Sequence, residues 1–203
     1  MTKWNQKYAA SDVRLFGDQP NGALASIVPE LEPAPQTVLC LADGDGRDGT
    51  WLAQRGYRVT AIDLSEVGTA RAIAYDQAAG VQVERIVADL AVWNPKDDQR
   101  WDLITLAFLQ CESSVRQRVI SQFAQWLNPG GFFVLEGFSI KGLDTATEGP
   151  KDADLLYELA SVRRWTKGLT IHQCDDSLIE LAQGTAHQGV GHVIRLLGQR
   201  AIA

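Results

Sequence analysis

The run Gly44-Asp45-Gly46-Arg47-Asp48-Gly49 has the spacing G-x-G-x-x-G. Glycines so spaced let the backbone approach a ligand closely, and a helix that opens there offers free N–H groups to anionic atoms. A tight strand–helix turn that binds nothing needs the same residues, so the neighbours have to decide. Asp63 closes the next predicted strand, where a carboxylate can accept both hydroxyls of a ribose. Asp89 closes the strand after that and can accept from an exocyclic adenine amine, or simply end the strand. Asp43 stands at the loop entrance, suited to an ammonium group.

A nicotinamide dinucleotide and S-adenosylmethionine both carry adenosine. Charge separates them: a pyrophosphate is repelled by Asp43, Asp45 and Asp48, whereas a sulfonium and an amino-acid ammonium are attracted. Arg47 can serve a phosphate or a carboxylate, so both readings stay open on these residues alone.

The elements that must position this set alternate between strand and helix, which predicts an α/β fold with a mostly parallel sheet. Leu24, Ile27, Val28 and Leu31 mark one face of a helix over Asn21–Leu31, ended by the prolines of EPAP. Strands are expected at 37–41, 58–62, 81–87, 101–108 and 132–135. A helix runs through Thr50–Arg55. Another runs from an Ser65 N-cap to Ala79, stopped by Gly80. Val115–Leu127 is amphipathic, and Asn128-Pro129-Gly130-Gly131 reads as a turn. Residues 139–153 read as a loop and 154–164 as a helix. The segments 177–182 and 192–197 form a hairpin joined by QGTAHQGVG, which makes the last strand antiparallel.

With 203 residues, 45% of them apolar, the chain can bury a core as a single domain over 1–203. A net charge of −6 argues against nucleic acid as the main partner. Three cysteines without metal-type spacing predict no metal site and a reducing, cytoplasmic setting. No leader-type or membrane-spanning apolar run is read, and a monomer is expected.

The ordered set VLCLADGDGRDGTWLA, YRVTAIDLS, VADL and WLNPGGFFVLEGF resembles the motif series of class I S-adenosylmethionine-dependent methyltransferases. The opening WNQKYAAS…LFGDQPNGAL and the later QGTAHQGVGHVIRLL resemble the tellurite-resistance-type (TehB-like) and thiopurine-methyltransferase-like enzymes. The resemblance covers nearly the whole chain. It implies a doubly wound, Rossmann-like sheet of seven strands, mostly parallel with an antiparallel last strand, and helices on both faces. It implies a lid over 1–20 with Trp4, Tyr8 and Phe16, a cofactor-binding half over 37–138, and a substrate-side half over 139–203. It also implies S-adenosylmethionine as cofactor, held by Ala42, Asp43, Gly44, Gly46, Arg47, Asp63, Leu64, Asp89, Leu90 and Phe108. Gly44 and Gly46 would approach the methionyl end, Asp63 the ribose, and Asp89 with Leu90 the adenine. Two positions depart from the commoner D-L-G-C-G-x-G loop: Cys40 stands where the family has an acid, and Ala42 where it has a glycine.

Methyl transfer is an in-line displacement, so alignment and exclusion of water are the main tasks. A thiol or chalcogen acceptor needs no general base; an oxygen or nitrogen acceptor can need one. Glu112, after the fourth strand, is a candidate base, although a carboxylate beginning a helix is equally its ordinary place. His187 is the other candidate, a turn histidine that either faces the site or lies on the surface. Cys111 reads as a packed small residue, and Trp93, Trp101 and Trp165 as core or interface anchors. Arg163 and Arg164 either attract an anionic acceptor or face solvent. The expected activity is methyl transfer to a small-molecule acceptor. The alternatives are a non-catalytic S-adenosylmethionine-binding protein and an NAD(P)-dependent oxidoreductase.

Overall fold

A computed structural model describes residues 2–96, 98–143 and 145–202. Seven strands form one sheet: β1 (Thr37–Leu41), β2 (Arg58–Asp63), β3 (Val83–Val87), β4 (Trp101–Ala107), β5 (Leu127–Phe138), β6 (Leu169–Gln183) and β7 (His187–Arg200). Their order is β3-β2-β1-β4-β5-β7-β6. The pairs among β1 to β5 are parallel, and β7 runs antiparallel to both its neighbours. The expected seven-stranded, mostly parallel sheet with an antiparallel last strand is what the chain forms.

The helices are α1 (Lys3–Ala9), α2 (Gly22–Ile27), α3 (Arg47–Gln54), α4 (Glu66–Ala79), α5 (Ser113–Ile120), α6 (Phe123–Trp126) and α7 (Leu159–Trp165). The central strand β1 explains why both faces must be covered. Its side chains alternate, and all four of Val38–Leu41 are buried. Leu39 and Leu41 join Val119, Ile120, Phe123 and Val162 of α5, α6 and α7 in one core. Val38 and Cys40 join Leu24 of α2 and Trp51 and Leu52 of α3 in the other. Each fully buried aliphatic side chain contributes roughly 1.5–3 kcal/mol relative to exposure.

Several boundaries differ from the sequence reading. Asn21 is a cap rather than a helical residue; its Oδ1 accepts from Ala23 and Leu24 N–H, and Pro29 sits in a 3-10 turn over Val28–Glu30. The amphipathic stretch 115–127 is broken at Ser121-Gln122 into α5 and α6. The Asn128–Gly131 run is not a free turn but the irregular start of β5. There Trp101 pairs with Leu127 and Leu103 with Phe132, so the intervening residues bulge. Over 154–164, a 3-10 turn (Ala153–Leu155) and an extended link precede α7. β6 and β7 are far longer than expected and meet through Gly184-Thr185-Ala186. Much of β6 faces solvent, so its apolar alternation is weak in the sequence.

Candidate cofactor and acceptor site

The glycine loop emerges from the C-terminal end of β1, beside the point where the strand order reverses between β1 and β4. That is where open α/β sheets bind ligands. Gly44 (φ +58°) and Gly46 (φ +83°) occupy the left-handed region, and so does Ala42 (φ +56°). Ala42 thus takes, despite its Cβ, a backbone conformation that glycine adopts most readily. Gly46 caps α3, and its α-carbon lies against Arg85 and Ala72, where a Cβ would stand 2.6 Å from each.

Asp43 does not offer a free carboxylate to a ligand. Its oxygens accept from the Gly49 N–H at 2.9 Å and from Arg85 Nη1 at 2.8 Å. The carboxylate thus fills the anion position at the start of α3 from within the chain. Arg85 also holds Asp76 of α4 (Nε–Oδ2 2.6 Å), and Thr50 of α3 bridges to Asp76 at 2.8 Å. This buried fork under the loop was not foreseen; its one signal is Arg85 in the short strand VERIV, beside Glu84. Burial pushes the Asp43 carboxyl up to about 6, against the opposing pull of Arg85.

Asp63 ends β2 as expected. Its Oδ2 accepts from Gly44 N–H (2.8 Å) and its Oδ1 from Ser65 N–H (2.7 Å), which leaves each oxygen able to accept again. Burial raises its pKa. Asp45 is buried and accepts from Leu15 N–H. Arg47 is not a free phosphate ligand: it donates to Asp48, to Gln183 at 2.8 Å and to the Phe16 carbonyl.

The N-terminal segment lies across this loop. Tyr8 is buried against Gly44 and Gly68, and a Cβ on Gly44 would collide with its hydroxyl. Asn5 Oδ1 accepts from Ser65 Oγ at 2.6 Å, and Arg71 of α4 donates to the carbonyls of Tyr8, Ser11 and Val13. Under α1 a cavity of about 70 Å³ is lined by Trp4, Tyr8, Gly44, Asp63, Phe108 and His187, among others. A second cavity of about 420 Å³ continues from it past Phe16, Gln110, Phe138 and His187.

His187 is the first residue of β7 and is buried, not a surface turn residue. Phe16, Phe108 and Phe138 surround its ring at centroid distances of 4.6, 4.6 and 5.1 Å. Its Nδ1 has no hydrogen-bond partner among the described residues. Burial, with Arg47 and Lys7 nearby, lowers its pKa to about 3, so the ring is neutral at pH 7. Phe108 lies in the left-handed region (φ +53°) and lines the first cavity.

Other candidates lie elsewhere. Glu112 is exposed at the start of α5, where its side chain makes no cap bond, and it lines neither cavity. Asp89 is exposed and accepts from Ala91 N–H at 2.8 Å; Leu90 is in the main core; Leu64 is 42% exposed. None of the three lines the cavities. They flank the Asp63 end of the sheet, where Ala88 N–H donates to the Asp63 carbonyl at 2.9 Å. Cys111 packs against the core and its thiol is pushed up to about 11 by burial. Arg163 and Arg164 end α7, away from both cavities.

Residues 38–131 match the family described as "Methyltransferase domain". Two thiopurine S-methyltransferases from strains of Pseudomonas putida are each 32% identical over 101 residues, which is 48% of this chain and 45% of theirs. The matching segment thus spans less than half the length of these curated relatives. Among solved structures, TehB from Haemophilus influenzae superposes with a TM-score of 0.74 at 16% identity, over 97% of this chain and 65% of that one. An S-adenosylmethionine-dependent methyltransferase from Clostridium acetobutylicum gives 0.61 at 16% identity, over 81% and 84%. The magnesium protoporphyrin IX methyltransferase ChlM from Synechocystis, solved with bound SAM, gives 0.64 at 16% identity, over 97% and 79%. At these identities the structural likeness is one of fold. Together with the family match it bears out the class I resemblance read from the motifs.

Proposed function

We propose that this chain, whose residues 38–131 carry a methyltransferase domain, uses S-adenosylmethionine to methylate a small thiol or other chalcogen nucleophile. When bound, the cofactor supplies a methyl group on a positively charged sulfur. The residues present suit it. Gly44 and Gly46 open the backbone to its amino-acid end, Asp63 accepts from the ribose, and Asp89 with Leu90 borders the adenine beside it. Ala42 and Phe108 add apolar surface, Leu64 flanks the Asp63 end of the sheet, and Asp43 and Arg47 fix the loop from behind. A nucleotide-sized ligand needs roughly 300 Å³ or more, which exceeds the 70 Å³ under α1, so this reading requires α1 and Tyr8 to shift when it binds.

Two observations disfavour a dinucleotide. The Asp43 carboxylate already takes the Gly49 N–H, where a pyrophosphate would bind. Arg47 is spent on Asp48, Gln183 and Phe16.

The observation that carries the acceptor class is the enclosure of the His187 ring by Phe16, Phe108 and Phe138, with no hydrogen-bond partner on Nδ1 among the described residues. With its pKa lowered to about 3, His187 is too weak a base to ionise an alcohol or an ammonium at pH 7. The other candidate base, Glu112, lies outside the cavities. A nucleophile that ionises near neutral pH without help is therefore favoured, and thiols, with a pKa of about 8.5, meet that condition. The aromatic wall of Phe16, Phe108 and Phe138 excludes water, and the His187 ring offers Nδ1 to orient the acceptor.

The test is calorimetric titration of S-adenosylhomocysteine into the wild-type protein and Asp63→Ala, followed by a thiol and chalcogen screen for methyl transfer. Micromolar binding, at least tenfold weaker in the variant, with turnover of a thiol, is expected. Absent binding would overturn the cofactor assignment. Binding without transfer to any acceptor would favour the non-catalytic reading.

A further inference from the structure

The larger cavity has a feature that methyl transfer itself does not require. Lys3 and Lys7 of α1 and Lys151 all line it, on top of its aromatic walls. Among the described residues, no carboxylate forms an ion pair with any of the three. Lys7 Nζ lies over the Trp4 ring, 4.6 Å from its centroid, and Lys151 Nζ donates to the Thr147 carbonyl at 2.9 Å.

Two acids share the lining, Glu148 and Asp152. Asp152 is committed to its own turn, where it accepts from Asp154 N–H at 3.0 Å. Glu148 lies over Gly189 of the β6–β7 hairpin. The balance around the cavity is cationic, in a protein whose net charge is −6. Burial first, and then Lys3 one turn away on the same helix, lower the pKa of Lys7; an anion between the two lysines would relieve their mutual repulsion.

We propose that the acceptor carries an anionic group, such as a carboxylate, at the end remote from its nucleophile, and that Lys3, Lys7 and Lys151 select for it. This rests on the methyl-transfer reading and narrows it to anionic aryl or alkyl chalcogenols. The aromatic wall takes the apolar body of such an acceptor, the neutral His187 stands at the reacting end, and the lysines stand at the solvent end. All three lysines are exposed, so each contributes modestly, roughly a factor of two to five.

The probes are 4-(methylthio)benzoate, an unreactive mimic of a methylated acid, and its neutral isostere 4-(methylthio)benzamide. Each is titrated into the protein saturated with S-adenosylhomocysteine. The acid is expected to bind about tenfold tighter than the amide at low salt, with the ratio falling as salt rises. In K3E/K7E that ratio should fall to one or below, whereas in K3R/K7R it should persist. Equal binding of acid and amide to the wild-type protein would overturn the proposal, as would a ratio unchanged in K3E/K7E. Both outcomes are read with S-adenosylhomocysteine already bound, so they are distinct from failure of the cofactor assignment. A loss of folding in the glutamate variant would show as lost S-adenosylhomocysteine binding, and Lys151→Glu alone then carries the test, with a two- to fivefold fall in the ratio expected and an unchanged ratio counting against the proposal.

Discussion

Replacing Arg85 by methionine keeps the length of the side chain and removes its charge. In the native protein the guanidinium lies between two carboxylates, 2.8 Å from Asp43 and 2.6 Å from Asp76, and all three side chains are at most 7% exposed. Removing one member of such a group leaves buried charge unpaired, at a cost of about 3–5 kcal/mol. The loss depends on pH, and its sign is set by Asp43. Its carboxyl already sits at about 6 with Arg85 present. Without Arg85 it rises further, so the folded variant holds a proton that the unfolded chain, at about 3.9, has released. Stability of the variant must then keep falling as pH rises above 6, by up to about 1.4 kcal/mol per unit, while the wild-type protein levels off. Urea unfolding of both proteins at pH 6, 7 and 8 measures this. The glycine loop rests on the same fork, so S-adenosylhomocysteine affinity should fall at least tenfold even where the variant is folded. A loss under about 1 kcal/mol, or one that narrows with rising pH, would refute the idea that Arg85 braces the loop.

Gly44→Ala forces a left-handed alanine and drives a methyl into the Tyr8 hydroxyl. It should loosen α1, seen as faster proteolysis before residue 20, and weaken S-adenosylhomocysteine tenfold or more. Initial rates with two thiols of different acidity should show pH midpoints that follow the thiol, because His187 stays neutral; one midpoint near 6–7 common to both thiols, lost in His187→Gln, would contradict this. Glu136 is buried and accepts from Asn21 Nδ2 at 2.8 Å and from Arg195. Glu136→Gln should cost about 1.5–3 kcal/mol of stability, read as a lower urea midpoint with an unchanged slope.

The cofactor half was legible because its signals are local. Four buried residues in a row at Val38–Leu41, then glycines, then an acid at the end of β2, are each fixed by chain geometry over a few positions. The fork of Arg85 was not legible, because it joins residues from the loop, α4 and β3 that are unremarkable alone. Asp43 shows the cost of this: beside a glycine loop its charge suggests a ligand contact, and only the distance to Arg85 reveals an internal partner. The sequence left His187 open between the site and the surface for a related reason. Its neighbours in sequence are polar and turn-forming, whereas its neighbours in space are three phenylalanines, from the N-terminal segment, from the residue after β4, and from β5. The β6–β7 pair was underestimated because much of β6 meets water, as at His172 and Asp175, and because a position whose side chain is only 5% exposed is polar, Asp176, which pairs with Lys141 and His192.

The place of β7 between β5 and β6 bears on how the protein is made. β7 follows both of its neighbours in the sequence, so β6 has no strand to join until the ladder His187–Arg200 has been synthesised. Emerging from the ribosome, β1 to β5 can dock in parallel pairs, but β5 presents a bare edge and β6 waits beside it as a polar ribbon. Such an open edge is a template for the wrong partner. Closure comes only as β7 slides in, and with it His187 and the β6–β7 turn that receives Leu15 and Gly17 of the N-terminal segment. The cavity beside His187 is therefore the part of the molecule completed last, and a nascent chain holds the glycine loop before it has the walls of that cavity or the Gln183 partner of Arg47.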